Sequence, residues 1–124
     1  MAEDERLERG RELARRYMGD ETIARWRATS PDLEELTSAF GFADVWSRPA
    51  LGMRDRAMIA VAITATLRAH PQLAWHARGA LRAGLSPDEL RETVITVAGL
   101  AGFPAAWSAM EIVEDVLAEG GGPA

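Results

Sequence analysis

Two histidines and a group of arginines are the residues whose types and spacing can do chemistry in this chain. His76 lies in Q-L-A-W-H-A-R-G-A-L, where Leu73, His76, Ala77, Ala80 and Leu81 recur at helical spacing and form one apolar stripe. A histidine on such a stripe is a candidate general acid or base, its pKa tuned near neutrality by partial burial. The alternative is a core or interface histidine, hydrogen-bonded and inert. His70, just before Pro71, falls where the preceding helix should end, and a cation there complements the helix dipole. Arg48, Arg54 and Arg56 crowd the approach to the most apolar segment and can clamp a carboxylate. Their other reading is a solvated first turn with Asp55 as local partner. Arg54 and Arg56 oppose the dipole of the helix they open. Arg48 is held extended by Pro49 and stands beside Trp46, which makes it the preferred anion anchor.

Other chemistries lack their residues. There is no cysteine, which removes disulfides, thiolate metal sites and thiol redox chemistry together. Two histidines six apart, with no carboxylate at helical spacing around His76, make no metal ligand set. Ser47, Thr64 and Ser108 show no histidine-plus-acid arrangement that would activate a nucleophile. No glycine-rich phosphate loop is present, and the G-G-G near the end reads as tail. The net charge is −5, and all 14 basic residues are arginine. Nucleic acid is therefore not an expected partner, since phosphate binding needs a concentrated positive face. Arginine does suit carboxylates, which it holds bidentately where lysine is a point charge.

The elements that must position these residues are helices. A polar helix is expected over Ala2–Met18, closed by Gly19, and a short one over Glu21–Ala28 with Asp20 as N-cap. Ser30-Pro31-Asp32 starts a third, running to about Phe40 and stopping at Gly41, with a loop from Phe42 to Leu51. Met53 to about Ala69 is apolar all round, which predicts a buried central helix. Gln72–Ala83 carries His76, with Arg78 and Arg82 on its outer face and Gly84 after it. Ser86-Pro87-Asp88-Glu89 is a capping box opening a helix to Ala101. Pro104–Ala118 is the last helix, and residues 119–124 are an expected disordered tail.

The predicted class is thus all-α, a single-domain bundle of about six or seven helices over residues 1–118. Its most apolar run, Ala57–Thr66, is about half the roughly 20 residues a membrane span needs. The charged N-terminus shows no secretory signal, so membrane is not an expected partner and the cytoplasm is the expected location. Ala-rich helix faces and four tryptophans suggest that some apolar surface is buried in a homo-oligomer.

Five segments in order carry a resemblance. They are W-S-R-P-A-L, an R-x-R before an apolar helix, Q-L-A-W-H-A-R-G-A-L-R-A-G, S-P-D-E-L-R-E-T-V and A-G-F-P-A-A. Together, from Gly41 to about Leu117, they resemble the carboxymuconolactone decarboxylase family. The likeness is closer to its γ-carboxymuconolactone decarboxylase branch than to its alkylhydroperoxidase D branch. The peroxidase branch uses Cys-x-x-Cys, and the matching positions here are Ala69 and Gln72. The resemblance implies an alkylhydroperoxidase D-like all-α fold, a trimer or hexamer, and a cofactor-free site near subunit contacts. It matches the family at His76, Trp46, Arg48 and Pro49. It departs at Gln72 and Ala57, where glutamate is usual, and at Trp107, where a small polar residue is common.

The resemblance implies decarboxylation of a small unsaturated lactone or cyclic carboxylate. His76 would deliver the proton, Arg48 would anchor a carboxylate, and the Gln72 amide would stabilise the developing oxyanion. Trp46 and Trp107 would shape the substrate pocket. The missing acids favour a second reading, the same pocket used for isomerisation, cyclisation or lactone chemistry. A third is a non-catalytic, oligomeric small-molecule-binding protein.

Overall fold

The structure, a computed structural model, describes residues 2–120. Among them it is all-α, with seven α-helices, one π-helix and no strand. The chain divides into two compact units, Met1–Met53 and Arg54–Ala124.

The first unit opens with α1, Glu3–Met18, whose acids at the start and Arg15 and Arg16 at the end complement its dipole. Gly19 ends it at φ 86°, a conformation that favours glycine. Helix α2, Asp20–Thr29, follows directly, so Asp20 is its first residue and not the expected cap. Ser30 then caps α3, Pro31–Leu36, by accepting from the Leu33 N–H at 3.2 Å, with Pro31 at the first helical position.

Here the expected stop at Gly41 is overturned. Gly41 does not adopt a positive φ, so it supplies no left-handed terminus. The chain continues as a π-helix, π1, Thr37–Trp46, through what was expected to be the start of a loop. The Ser47 N–H donates to the Phe42 carbonyl at 3.1 Å, the five-residue step of that wider helix. Gly10 lets α1 lie directly on π1. A Cβ there would stand 1.8 Å from the Ser38 carbonyl oxygen.

Glu34, 2% exposed, locks the same junction. It accepts from Arg11 Nη2 at 2.7 Å and Nε at 3.0 Å, from the Ser38 hydroxyl at 2.7 Å and from Arg27 at 3.3 Å. These bonds, led by those from Arg11, hold the Glu34 carboxyl down at about 2, outweighing the opposing effect of burial. Tyr17, Phe42 and Trp46 form the apolar side of the unit. The Tyr17 and Trp46 ring centres are 4.5 Å apart, and those of Phe42 and Trp46 5.4 Å.

The second unit holds α4 (Met53–Leu67), α5 (His70–Arg82), α6 (Pro87–Ala101) and α7 (Phe103–Gly120). Helix α4 is not buried all round. Ala57, Val61 and Ala65 form its buried stripe, while Ile59, Ile63 and Leu67 are 48%, 51% and 71% exposed. Its two inner threonines donate to carbonyls one turn back, Thr64 to Ala60 at 2.7 Å and Thr66 to Ala62 at 2.8 Å. The helix ends at Leu67, because Arg68 turns left-handed at φ 56° and Ala69 N–H bonds back to Thr64.

His70 therefore opens α5 and does not close the helix before it, so the expected favourable dipole contact is lost. Helix α6 starts with the complete capping box of Ser86 and Glu89. Arg54 pairs with Glu89 of the α6 cap and not with Asp55, the expected local partner. Arg78, expected on a solvated face, donates twice to Glu119 at 2.9 Å. That pair belongs to an α7 reaching Gly120, two residues beyond the expected end at Ala118. The rest of the expected tail, residues 121–124, lies outside the described residues. No helix among the described residues is long and apolar enough to cross a membrane.

Candidate active site

His76 sits midway along α5 on the stripe that carries Leu73, Ala77 and Ala80, all fully buried. Those neighbours follow from the three-and-four spacing, and they fix which way the ring faces. The imidazole itself is half-buried. Burial pushes it from 6.5 down to about 4. The expected tuning near neutrality is thus replaced by a stronger shift, and the ring is neutral at pH 7. A neutral imidazole has one nitrogen able to accept a proton and one able to donate. Gln72 stands one turn earlier on α5, exposed.

Trp46 and Arg48 meet in the first unit. They line a pocket of about 510 Å³, together with Ser47, Pro49, Leu51 and residues of α1. Trp46 is held there by tilted ring contacts with Tyr17 and Phe42. Arg48 lies outside any helix, as the following proline requires, and its N–H donates to the Val45 carbonyl at 3.1 Å. The Ser47 hydroxyl is turned back onto the Ala43 carbonyl, so it is engaged in the backbone.

The expected site residues thus fall into groups. Trp46 and Arg48 share the pocket of the first unit. Gln72 and His76 share a face of α5 in the second. Trp107, on α7, presents an indole that is 69% exposed. Ala57 is fully buried, so no ionisable group stands at that position of α4. Among the described residues no three His, Cys, Asp or Glu side chains are grouped to hold a metal ion.

Sequence reasoning missed the α1 wall of the pocket. Arg9, Glu12, Leu13 and Arg16 all line it. Their spacing of three, four and seven places them on one helix face, a signal masked by high Arg/Glu content, since such a face is ordinarily solvated. Glu34 was missed as well, since an acid in a first turn is most simply explained by the dipole.

The described residues make an all-α chain with a half-buried histidine on the apolar stripe of a short helix. The chain belongs to the Carboxymuconolactone decarboxylase family, whose profile matches residues 31–115. It is 28% identical over 120 residues to the 4-carboxymuconolactone decarboxylase of Acinetobacter baylyi, covering 94% of this chain and 90% of that one. It is 29% identical over 84 residues to the nitrosuccinic acid decarboxylase of Metarhizium robertsii, covering 68% of this chain and 59% of that one. The family and these relatives make the chain decarboxylase-like at the level of the family.

Proposed function

We propose that the protein removes CO2, without a cofactor, from a small unsaturated lactone or cyclic carboxylate, with His76 as general acid/base. The observation that carries this is His76 itself, desolvated on the apolar stripe of α5 within the segment that matches the family. In a γ-carboxylated unsaturated lactone, the bond between ring carbon and carboxylate breaks and CO2 departs. Its electron pair moves into the conjugated lactone carbonyl, giving an enolate that then takes a proton on carbon. The substrate is its own electron sink.

The protein must therefore hold the anion, stabilise the enolate and supply the proton. Of these roles, Arg48 in the first unit suits a carboxylate, which a guanidinium holds bidentately, and the Gln72 amide N–H in the second unit suits the developing oxyanion. Each unit also offers apolar aromatic surface, Trp46 in the first and Trp107 in the second. A bound anion favours the imidazolium, so substrate binding raises the His76 pKa and loads the ring with the proton it then gives to carbon. General acid catalysis of this kind contributes about 10²–10⁴-fold.

A second reading is a different acid/base reaction, isomerisation, cyclisation or lactone chemistry, in the same family site. Ala57 and Gln72 favour it, because neither supplies a carboxylate. The distinguishing assay follows ultraviolet absorbance and CO2 release with 4-carboxymuconolactone and nitrosuccinic acid, the compounds in the relatives' names. CO2 release that falls at least about 100-fold in His76→Ala supports decarboxylation through His76. Absorbance change without CO2 supports the second reading, and a His76→Ala rate within about tenfold of wild type sinks both.

The proposal includes a homo-oligomer, a trimer or hexamer. The exposed Ile59, Ile63 and Leu67 stripe of α4 is apolar surface of the kind that a second copy covers.

A further inference from the structure

The pocket beside Arg48 is built as much by α1 as by the turn that holds Arg48. Arg9 and Arg16 are seven residues apart on one face of α1, and both line it. With Arg48 they bring three guanidinium groups to a cavity of about 510 Å³. Glu12 is its one acidic lining residue, and that carboxylate lies 3.6 Å from Arg15, which does not line the pocket. Three arginines against one glutamate make cationic residues predominate among the charged residues of the lining, in a chain whose net charge is −5.

Charge alone would suit any anion. The remaining surface narrows the class. Leu13, Trp46 and Leu51 line the same cavity, and the Trp46 ring is held by Tyr17 at 4.5 Å. A small, hydrated inorganic anion gains nothing from that apolar surface. A flat, unsaturated ring carrying carboxylates matches both halves, its body against indole and leucine and its carboxylates against planar guanidinium forks. The volume is that of a small-molecule site.

We infer that Arg9 and Arg16 of α1, with Arg48, form the binding site for a ring-bearing organic dianion and set the preference for it. Helix α1 precedes residues 31–115, the segment that matches the family. Anion selectivity is then written outside the segment that carries His76. That this anion is the substrate rests on the proposed function; that the pocket binds it does not.

The test is isothermal titration of the full chain with phthalate, benzoate and inorganic phosphate. The variants are Arg9→Gln, Arg16→Gln and, as a control, Arg25→Gln, an exposed arginine of α2 that does not line the pocket. Circular dichroism and thermal melts establish that each variant is folded. Phthalate is expected to bind at least tenfold tighter than benzoate or phosphate. Arg9→Gln and Arg16→Gln should each weaken it about tenfold, and Arg25→Gln should leave it unchanged. Phosphate binding as tightly as phthalate, no phthalate binding at all, or arginine variants that bind like wild type would each overturn the inference. Loss of CO2 release with arginine-dependent phthalate binding intact would instead count against the proposed reaction alone.

Discussion

His76 and Glu34 are both charge problems, solved in opposite ways. Burial strips the His76 ring of water and keeps it neutral, whereas Arg11, Ser38 and Arg27 keep Glu34 ionised despite burial. Each leaves its mark on acid stability in a different window. The histidine titrates near 6.5 when unfolded and at about 4 when folded. As pH falls below 6.5 the unfolded chain gains a proton that the folded chain refuses. Stability due to His76 is therefore full above 6.5, falls toward 4 and then levels off, with a slope of at most about 1.4 kcal/mol per pH unit. Glu34 shifts from 4.5 to about 2, so its contribution is full above 4.5 and is lost as pH falls through 2. Urea midpoints measured against pH should show both limbs in the wild type. His76→Gln should flatten the upper limb and leave the lower one, and an unchanged upper limb would contradict the burial of the ring. The stripe that carries His76 was legible in the sequence. The size of its shift was not, because desolvation depends on everything that folds around a position.

At the scale of elements, the junction of α1 with π1 depends on a missing side chain. Gly10→Ala would drive a methyl into the Ser38 carbonyl, a backbone atom that cannot step aside. We expect a loss of about 1–3 kcal/mol or more, read as a lower denaturant midpoint. Gly41→Ala is the counterpart, because its added carbon would meet only the Thr37 methyl, at 3.9 Å. There the change should be neutral or stabilising by up to about 1 kcal/mol. Arg68, left-handed at φ 56°, should tolerate glycine with a gain of up to about 1–2 kcal/mol. Two equal losses from Gly10→Ala and Gly41→Ala would mean that α1 does not rest on π1 through Gly10.

Most helix boundaries were legible because caps announce them. Ser30-Pro31 and Ser86-Pro87 start helices where expected, and α6 runs over the residues predicted for it. The misreadings share one cause. Glycine and proline mark where a helix is allowed to stop, not where it must. Gly41 is passed through in π form, and Pro71 falls in the first turn of α5 and does not end α4, which stops at Leu67.

At the scale of the whole molecule, the apolar pattern of α4 promised a helix surrounded by protein. Within one chain, three of its large residues, Ile59, Ile63 and Leu67, are 48% exposed or more. The expected burial on every side is not met within one chain, where only the Ala57, Val61 and Ala65 stripe is covered. The proposed self-association would reconcile the two, and it is measurable. Sedimentation velocity should give a particle of more than one chain. Ile63→Glu, which puts a charge on the stripe without touching its buried side, should shift that particle toward the monomer while helicity is retained. A wild-type chain that sediments as a monomer at micromolar concentration would sink the oligomer.

The Glu34 cluster also constrains the paths by which such a sequence can change over evolutionary time. Losing Arg11 alone would leave a buried carboxylate short of its bidentate partner, and losing Glu34 alone would leave a largely buried guanidinium with only the longer contacts to Glu8 and Glu35. Either step costs about 3–5 kcal/mol, comparable to the whole stability of a small fold. Replacing both by apolar residues of similar volume can be close to neutral. Drift across relatives should therefore keep the two or exchange them together, in a valley that single substitutions seldom cross. Because Arg11 precedes residue 31 and Glu34 follows it, the family segment and the helix before it are bound to a shared mutational history.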